Sequence, residues 1–95
     1  RDSDFDGFAI KRGDYLALAE HQLFGTDRNI EKLLSRLAES DAVKDAEFIT
    51  IFYGEDVKEK EAQKALKVFT SACPGAEITL LSGGQPVYYY MISAE

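Results

Sequence analysis

The sequence predicts an α/β (α+β) fold, a two-layer sandwich with a mixed sheet and two helices packed on one face. Three observations carry this reading. Residues Ile30, Leu33, Leu34, Leu37 and Ala38 recur at helical spacing. Phe48-Ile49-Thr50-Ile51-Phe52-Tyr53 is a β-branched and aromatic run closed by Gly54. A second helical stripe and two further strand-like segments follow it. Segments alternating in this way bury themselves best as helices laid on a sheet.

The first third is β-like. Phe8-Ala9-Ile10 is stopped by Arg12-Gly13-Asp14, Tyr15 to Ala19 (YLALA) follows, and Leu23-Phe24 comes after polar Glu20-His21-Gln22. Short apolar runs with Gly and polar punctuation read as a meander of small strands. The first helix starts after Asp27, which with Thr26 is a candidate cap. The Phe48–Tyr53 run, apolar at nearly every position, reads as a central strand covered on much of both faces. Ala62, Ala65, Leu66, Phe69, Ala72 and Cys73 mark the buried stripe of the second helix, which Pro74-Gly75 ends. Its start has two readings: Asp56 with Glu59 as a capping-box variant, or a Val57–Ala62 staple around a cap at Lys58.

Glu77 to Leu81 (EITLL) and Val87 to Ala94 are the last strands. The four residues between them, Gly83 to Pro86, are too few for a parallel crossover, so an antiparallel C-terminal hairpin is expected. Strand alternation would put Tyr88, Tyr90 and Ile92 on one face and Val87, Tyr89 and Met91 on the other. The chain shows no internal repeat and no linker, so residues 1–95 are expected to be a single domain, with 1–12 as a partly ordered leader.

Composition narrows the function classes. Hydrophobic residues are 45% and charged residues 29%, which fits a folded globular domain. The formal charge of −6 disfavours contact with a phosphate backbone. No apolar run approaches the roughly 20 residues of a membrane span. A lone cysteine makes no internal disulfide, which fits a reducing compartment. The acidic start has no signal-peptide pattern, and the missing initiator Met fits an excised or processed piece.

Each candidate site competes with a plainer reading. Tyr53, Gly54 and Glu55 lie where a strand end meets a helix start, a common ligand position. The acidic Glu55 and Asp56 repel the anion such a site would hold, so a loop and cap is the stronger reading. Arg12-Gly13-Asp14 reads as a turn. One His and one Cys cannot make a structural zinc site, and His21 has no neighbour that would orient it for proton transfer. Cys73 sits on an apolar stripe. No catalytic residue and no metal site is therefore assigned. Phosphate-loop patterns are absent, and Gly83-Gly84 precedes a strand rather than a helix.

That leaves GGQPVYYY, residues 83–90. Gly-Gly can supply the positive φ values of a tight hairpin, and Pro86 can begin an edge strand. Apolar rings on both faces of the strand also suit a contact surface. Gly83, Gly84, Gln85, Tyr88 and Tyr90 are thus candidates for partner or ligand contact.

Phe48 to Tyr53 with Gly54-Glu55-Asp56-Val57, then Pro74-Gly75-Ala76-Glu77-Ile78, then Gly83 to Glu95, together resemble a bacterial family. It is the C-terminal domain of the dihydroxyacetone-kinase-like ATP-binding subunit of fatty acid kinase. The resemblance covers about Gly13 to Glu95. The chain departs from it at Lys58, where many members would carry a hydroxyl cap. The resemblance implies a cytoplasmic, multidomain kinase subunit of which this chain is the C-terminal part. It implies ATP and magnesium in an N-terminal domain of the parent, with no cofactor in this part. It implies a fold similar to part of the DegV-like fatty-acid-binding proteins, which are the partner subunits. The expected function is that of a non-catalytic accessory domain that helps the kinase engage its fatty-acid-binding partner for acyl phosphate formation. A stand-alone acyl-chain or small-molecule binding domain is the alternative.

Overall fold

A computed structural model describes residues 7–11, 16–19, 22–86 and 88–95. The order is β1 (Gly7–Lys11), β2 (Leu16–Ala19), β3 (Gln22–Thr26), α1 (Ile30–Ala38), α2 (Asp41–Lys44), β4 (Phe48–Tyr53), α3 (Glu59–Ala72), β5 (Glu77–Ser82) and β6 (Tyr88–Ala94). The strands form one mixed sheet in the order β3-β2-β1-β6-β4-β5. Among these strands only β4 and β5 pair in parallel, joined through α3; every other neighbouring pair is antiparallel. The α+β class, the mixed sheet and the N-terminal meander of the sequence reading are therefore present. Within the span expected as a leader, Gly7–Lys11 form an interior strand between β2 and β6, and residues 1–6 and 12 lie outside the described residues. Arg12-Gly13-Asp14, Tyr15, His21 and Val87 lie outside the described residues.

One face of the sheet meets the helices. Phe8, Ile10, Ala17, Ile49, Ile51 and Ile92 project into a single core. Leu33, Leu34, Leu37 and Ala38 meet them from α1, Val43 from α2, and Ala62, Ala65 and Phe69 from α3. Full burial of a Leu, Ile or Phe side chain contributes about 1.5–3 kcal/mol, so this layer carries most of the driving force. Both predicted helical stripes hold, except that Ala72 is exposed and Ile30 and Leu66 are only half-buried.

Four expectations are corrected. First, β5 and β6 run in opposite directions but form no hairpin, because β4 lies between them. Two sheet spacings are roughly 10 Å, well within the ~17 Å reach of the five residues from Gly83 to Val87. A short loop fixes opposite direction without requiring adjacency. Second, Pro86 precedes an interior strand, not an edge strand. Third, β4 is covered on one face only: Ile49 and Ile51 are buried, whereas Phe48 is 51% exposed. Fourth, α1 is capped by Asn29, not by Asp27 or Thr26. The Asn29 side-chain oxygen accepts from the N–H groups of Glu31 at 2.9 Å and Lys32 at 3.2 Å. Asp27 instead accepts the Asn29 N–H at 2.9 Å.

At α3 the staple reading is the observed one. Lys58 is the cap residue, Val57 and Ala62 are both buried, and Glu61 reaches back to the Lys58 N–H at 3.4 Å. An ammonium has no acceptor, so Lys58 supplies no side-chain cap.

Candidate functional site

The predicted contact residues converge on the loop between β5 and β6. Gly83 and Gly84 both donate their N–H groups to the Tyr53 carbonyl, at 2.9 and 3.2 Å. The two glycines serve different ends. Gly84 has φ of +65°, which disfavours any side chain. At Gly83 a Cβ would displace the end of the Gln85 side chain and lie 3.1 Å from Cβ of Phe52, so a side chain there would disturb the Gln85 clasp.

Gln85 clasps the loop to the end of β4. Its side-chain amide donates to the Phe52 carbonyl at 3.2 Å, and its own carbonyl accepts the Glu55 N–H at 3.0 Å. Gly54 lies inside this clasp and donates to the Tyr89 carbonyl at 2.7 Å. Tyr53, Gly54 and Glu55, the secondary candidates, thus adjoin the primary ones. Through Gly54 and Glu55 the contacts are made by backbone groups.

The tyrosines do not alternate as strand geometry predicts. Ile10 pairs with Tyr90 and Lys11 with Tyr88, so Tyr89 is an extra residue, a β-bulge. Tyr89 and Tyr90 both line a groove on the helix side, whereas Tyr88 has Nζ of Lys11 over its ring at 5.7 Å. Lys11 follows buried Ile10 and so faces away from the helices. The expectation that Tyr88 and Tyr90 share one face, with Tyr89 on the other, is therefore corrected. Tyr90 is only 3% exposed, and its hydroxyl lies 3.4 Å from the Glu61 carbonyl.

Two hollows flank these residues. The helix-side groove, about 300 Å³, is lined by Leu34, Val57, Ala65, Tyr89 and Tyr90 and by the charged Glu31, Asp56, Lys58, Glu61 and Lys64. The second lies on the open face of the sheet. It encloses about 490 Å³ and is lined by Phe52, Leu81, Ser82, Gly83, Gln85 and Met91. Two predicted residues, Gly83 and Gln85, belong to it.

The open face carries a feature that sequence reading missed. Leu81 registers with Phe52, Phe52 with Met91, Met91 with Ala9, and Ala9 with Leu18. The result is an apolar row crossing β5, β4, β6, β1 and β2. Leu81 is 45% exposed at its outer end, and Phe48 is exposed on the same face two rows away. Period-2 alternation gives the face of each residue, but only the strand order aligns them.

Among the described residues little chemistry is available elsewhere. The Cys73 thiol is buried and points at the carbonyls of Ala38 and Val43, 3.7 and 3.9 Å away. Burial pushes its pKa up, which suppresses the nucleophilic thiolate. Among the described residues no group of three or more His, Cys, Asp or Glu side chains is placed to hold a metal ion. None of their helices is long and apolar enough to cross a membrane.

A FakA-like C-terminal family model, drawn from fatty acid kinase subunits, matches residues 1–95. Protein YloV of Bacillus subtilis is 33% identical over 95 residues, covering all of this chain and 17% of that protein. An uncharacterized protein of Staphylococcus haemolyticus is 32% identical over 95 residues, again covering the whole chain and 17% of the relative. One from Staphylococcus epidermidis is 31% identical over 99 residues, with the same coverage. The chain thus spans about one sixth of the length of the curated relatives it matches.

Proposed function

Since the chain belongs to the FakA-like C-terminal family of fatty acid kinase subunits, we propose that it is a non-catalytic accessory domain of such a kinase. Its role is to help the ATP-binding subunit engage a fatty-acid-binding partner, in the cytoplasm, so that the bound fatty acid is converted to an acyl phosphate. ATP and magnesium are assigned to a different part of the parent protein. The observation that carries this reading is the apolar row from Leu81 through Phe52 and Met91 to Leu18. A row of this kind, rimmed by polar Thr50, Thr79, Gln85 and Ser93, has the composition of a protein contact.

The binding reading and the clasp are compatible. Gln85 and the two glycines hold the loop that walls one end of the open-face hollow, so their part is to shape the surface. The alternative of a small-molecule domain would use the helix-side groove. Three carboxylates and two ammonium groups around its mouth make it a poor fit for an acyl chain.

The test is calorimetric binding of the full-length kinase subunit to its fatty-acid-binding partner, with and without Met91→Glu. Met91 lies in the middle of the row, away from both sheet edges. Affinity is expected to fall tenfold or more while the unfolding transition stays cooperative. Unchanged affinity in the variant, or unchanged binding after deletion of this domain, would refute the proposal.

A further inference from the structure

The outer edge of β5 is laid out for pairing. Glu77 donates its N–H to the Glu47 carbonyl at 2.8 Å, and Gly83 donates to the Tyr53 carbonyl at 2.9 Å. In a parallel ladder, alternate residues turn both backbone groups toward the same neighbour. Residues 77, 79, 81 and 83 therefore serve β4, and Ile78, Leu80 and Ser82 turn their N–H and C=O groups outward. Among the described residues no strand pairs with that edge. Proteins blunt such edges with Pro, Lys, bulges or very short strands. The opposite edge, β3, has a bulge at Phe24. β5 keeps six residues, EITLLS, in unbroken register with β4 and contains neither Pro nor Lys.

We propose that β5 pairs antiparallel with β5 of a second copy of this chain, about a two-fold axis at Leu80, joining the two sheets into one. The sequence of the edge is self-complementary in that register. Leu80 meets Leu80 of the second copy, and Ile78 meets Ser82, each pair exchanging both backbone hydrogen bonds. On the open face Thr79 stands opposite Leu81, and the two copies of Leu81 become diagonal neighbours. The 45%-exposed Leu81 thereby gains apolar cover. Glu77 stands opposite Gly83, so no like charges are opposed along the strand. This match of each position to its own two-fold mate favours a second copy over an unrelated strand. The association does not rest on the accessory role proposed above, although Leu81 belongs to both surfaces.

The opposition of Thr79 to Leu81 of the other copy supplies the test. Two double variants are made in the 95-residue chain, Thr79→Lys with Leu81→Lys, and Thr79→Glu with Leu81→Glu. Their folding is checked by circular dichroism and thermal unfolding. Sedimentation equilibrium is expected to show a concentration-dependent dimer for the unaltered chain and self-association at least tenfold weaker for each variant. An equimolar mixture of the two variants should recover the dimer, because lysines then face glutamates. A monomeric unaltered chain, undiminished dimers in both variants, or a mixture that stays monomeric would each overturn the proposal.

Discussion

A Cβ on Gly54 would overlap the carbonyl oxygen of Tyr88 and lie 2.8 Å from that of Gln85. The glycine is required by close backbone approach: its φ is not positive, so conformational freedom is not the reason. Three chain segments meet there, namely the end of β4, the β5–β6 loop and the start of β6. Gly54→Ala must push the loop off the strand end and loosen the hydrogen bonds from Gly54 to Tyr89 and from Glu55 to Gln85. A destabilisation toward the upper end of the about 1–3 kcal/mol range for overpacking is expected, read from urea unfolding. Gly75→Ala is the matched control. A Cβ on Gly75 meets nothing within 4 Å, so a change within about 0.5 kcal/mol is expected.

The start of α3 offers a gain. Lys58 occupies the cap position with extended backbone, φ −78° and ψ 149°, but has no oxygen to offer. Lys58→Ser keeps that conformation and supplies an acceptor for the N–H of Glu61, completing the box with the Glu61 carboxylate. A stabilisation of about 0.5–1 kcal/mol is expected from thermal or urea unfolding. In the reverse sense, Asn29→Ala removes two bonds at the start of α1 and should cost about 1 kcal/mol.

Cys73 predicts a pH dependence. Burial raises the folded-state pKa of the thiol above its unfolded value of about 8.5. Below that value both states hold the proton and the full stability is present. Above it the unfolded chain releases a proton that the folded chain retains, so stability falls as pH rises toward the folded pKa. Unfolding free energy should therefore decline between neutral pH and about pH 10 more steeply for the native chain than for Cys73→Ala. A thiol reagent should label Cys73 slowly in buffer and rapidly in denaturant. Equal slopes for the two proteins would show that the thiol does not contribute.

These positions also show how far the sequence could be read. The stripes Ile30-Leu33-Leu34-Leu37 and Ala62-Ala65-Phe69 were legible because helical periodicity is local. So was the Phe48–Tyr53 strand. The insertion of β6 between β1 and β4 was not, because a five-residue loop limits direction and reach but names no neighbour. The Tyr89 bulge was hidden for a related reason: an extra residue exists only relative to a partner strand. The sequence reading offered Asp27 and Thr26 as caps and overlooked Asn29, two residues beyond Asp27, whose side chain caps equally well. Gly83, Gln85 and the aromatic end of β6 were found as a cluster. Phe52, Leu81 and Met91, which give it an apolar floor, needed the register.

The two faces of β4 give the last prediction. Phe48 and Ile51 lie in the same strand, both large and apolar, yet one is 51% exposed and the other fully buried. Burial on the helix side should decide the energetic difference, since both residues share the strand's backbone pairing with β5 and β6. Ile51→Ala leaves a cavity in the core cluster and should cost about 2–5 kcal/mol. Phe48→Thr keeps a strand-compatible side chain and should change stability by about 0.5 kcal/mol or less. Urea titration of both variants measures this. A large loss at Phe48 would mean that the open face is packed against something even in the isolated chain. Small losses at both would place the core elsewhere than between the sheet and α3.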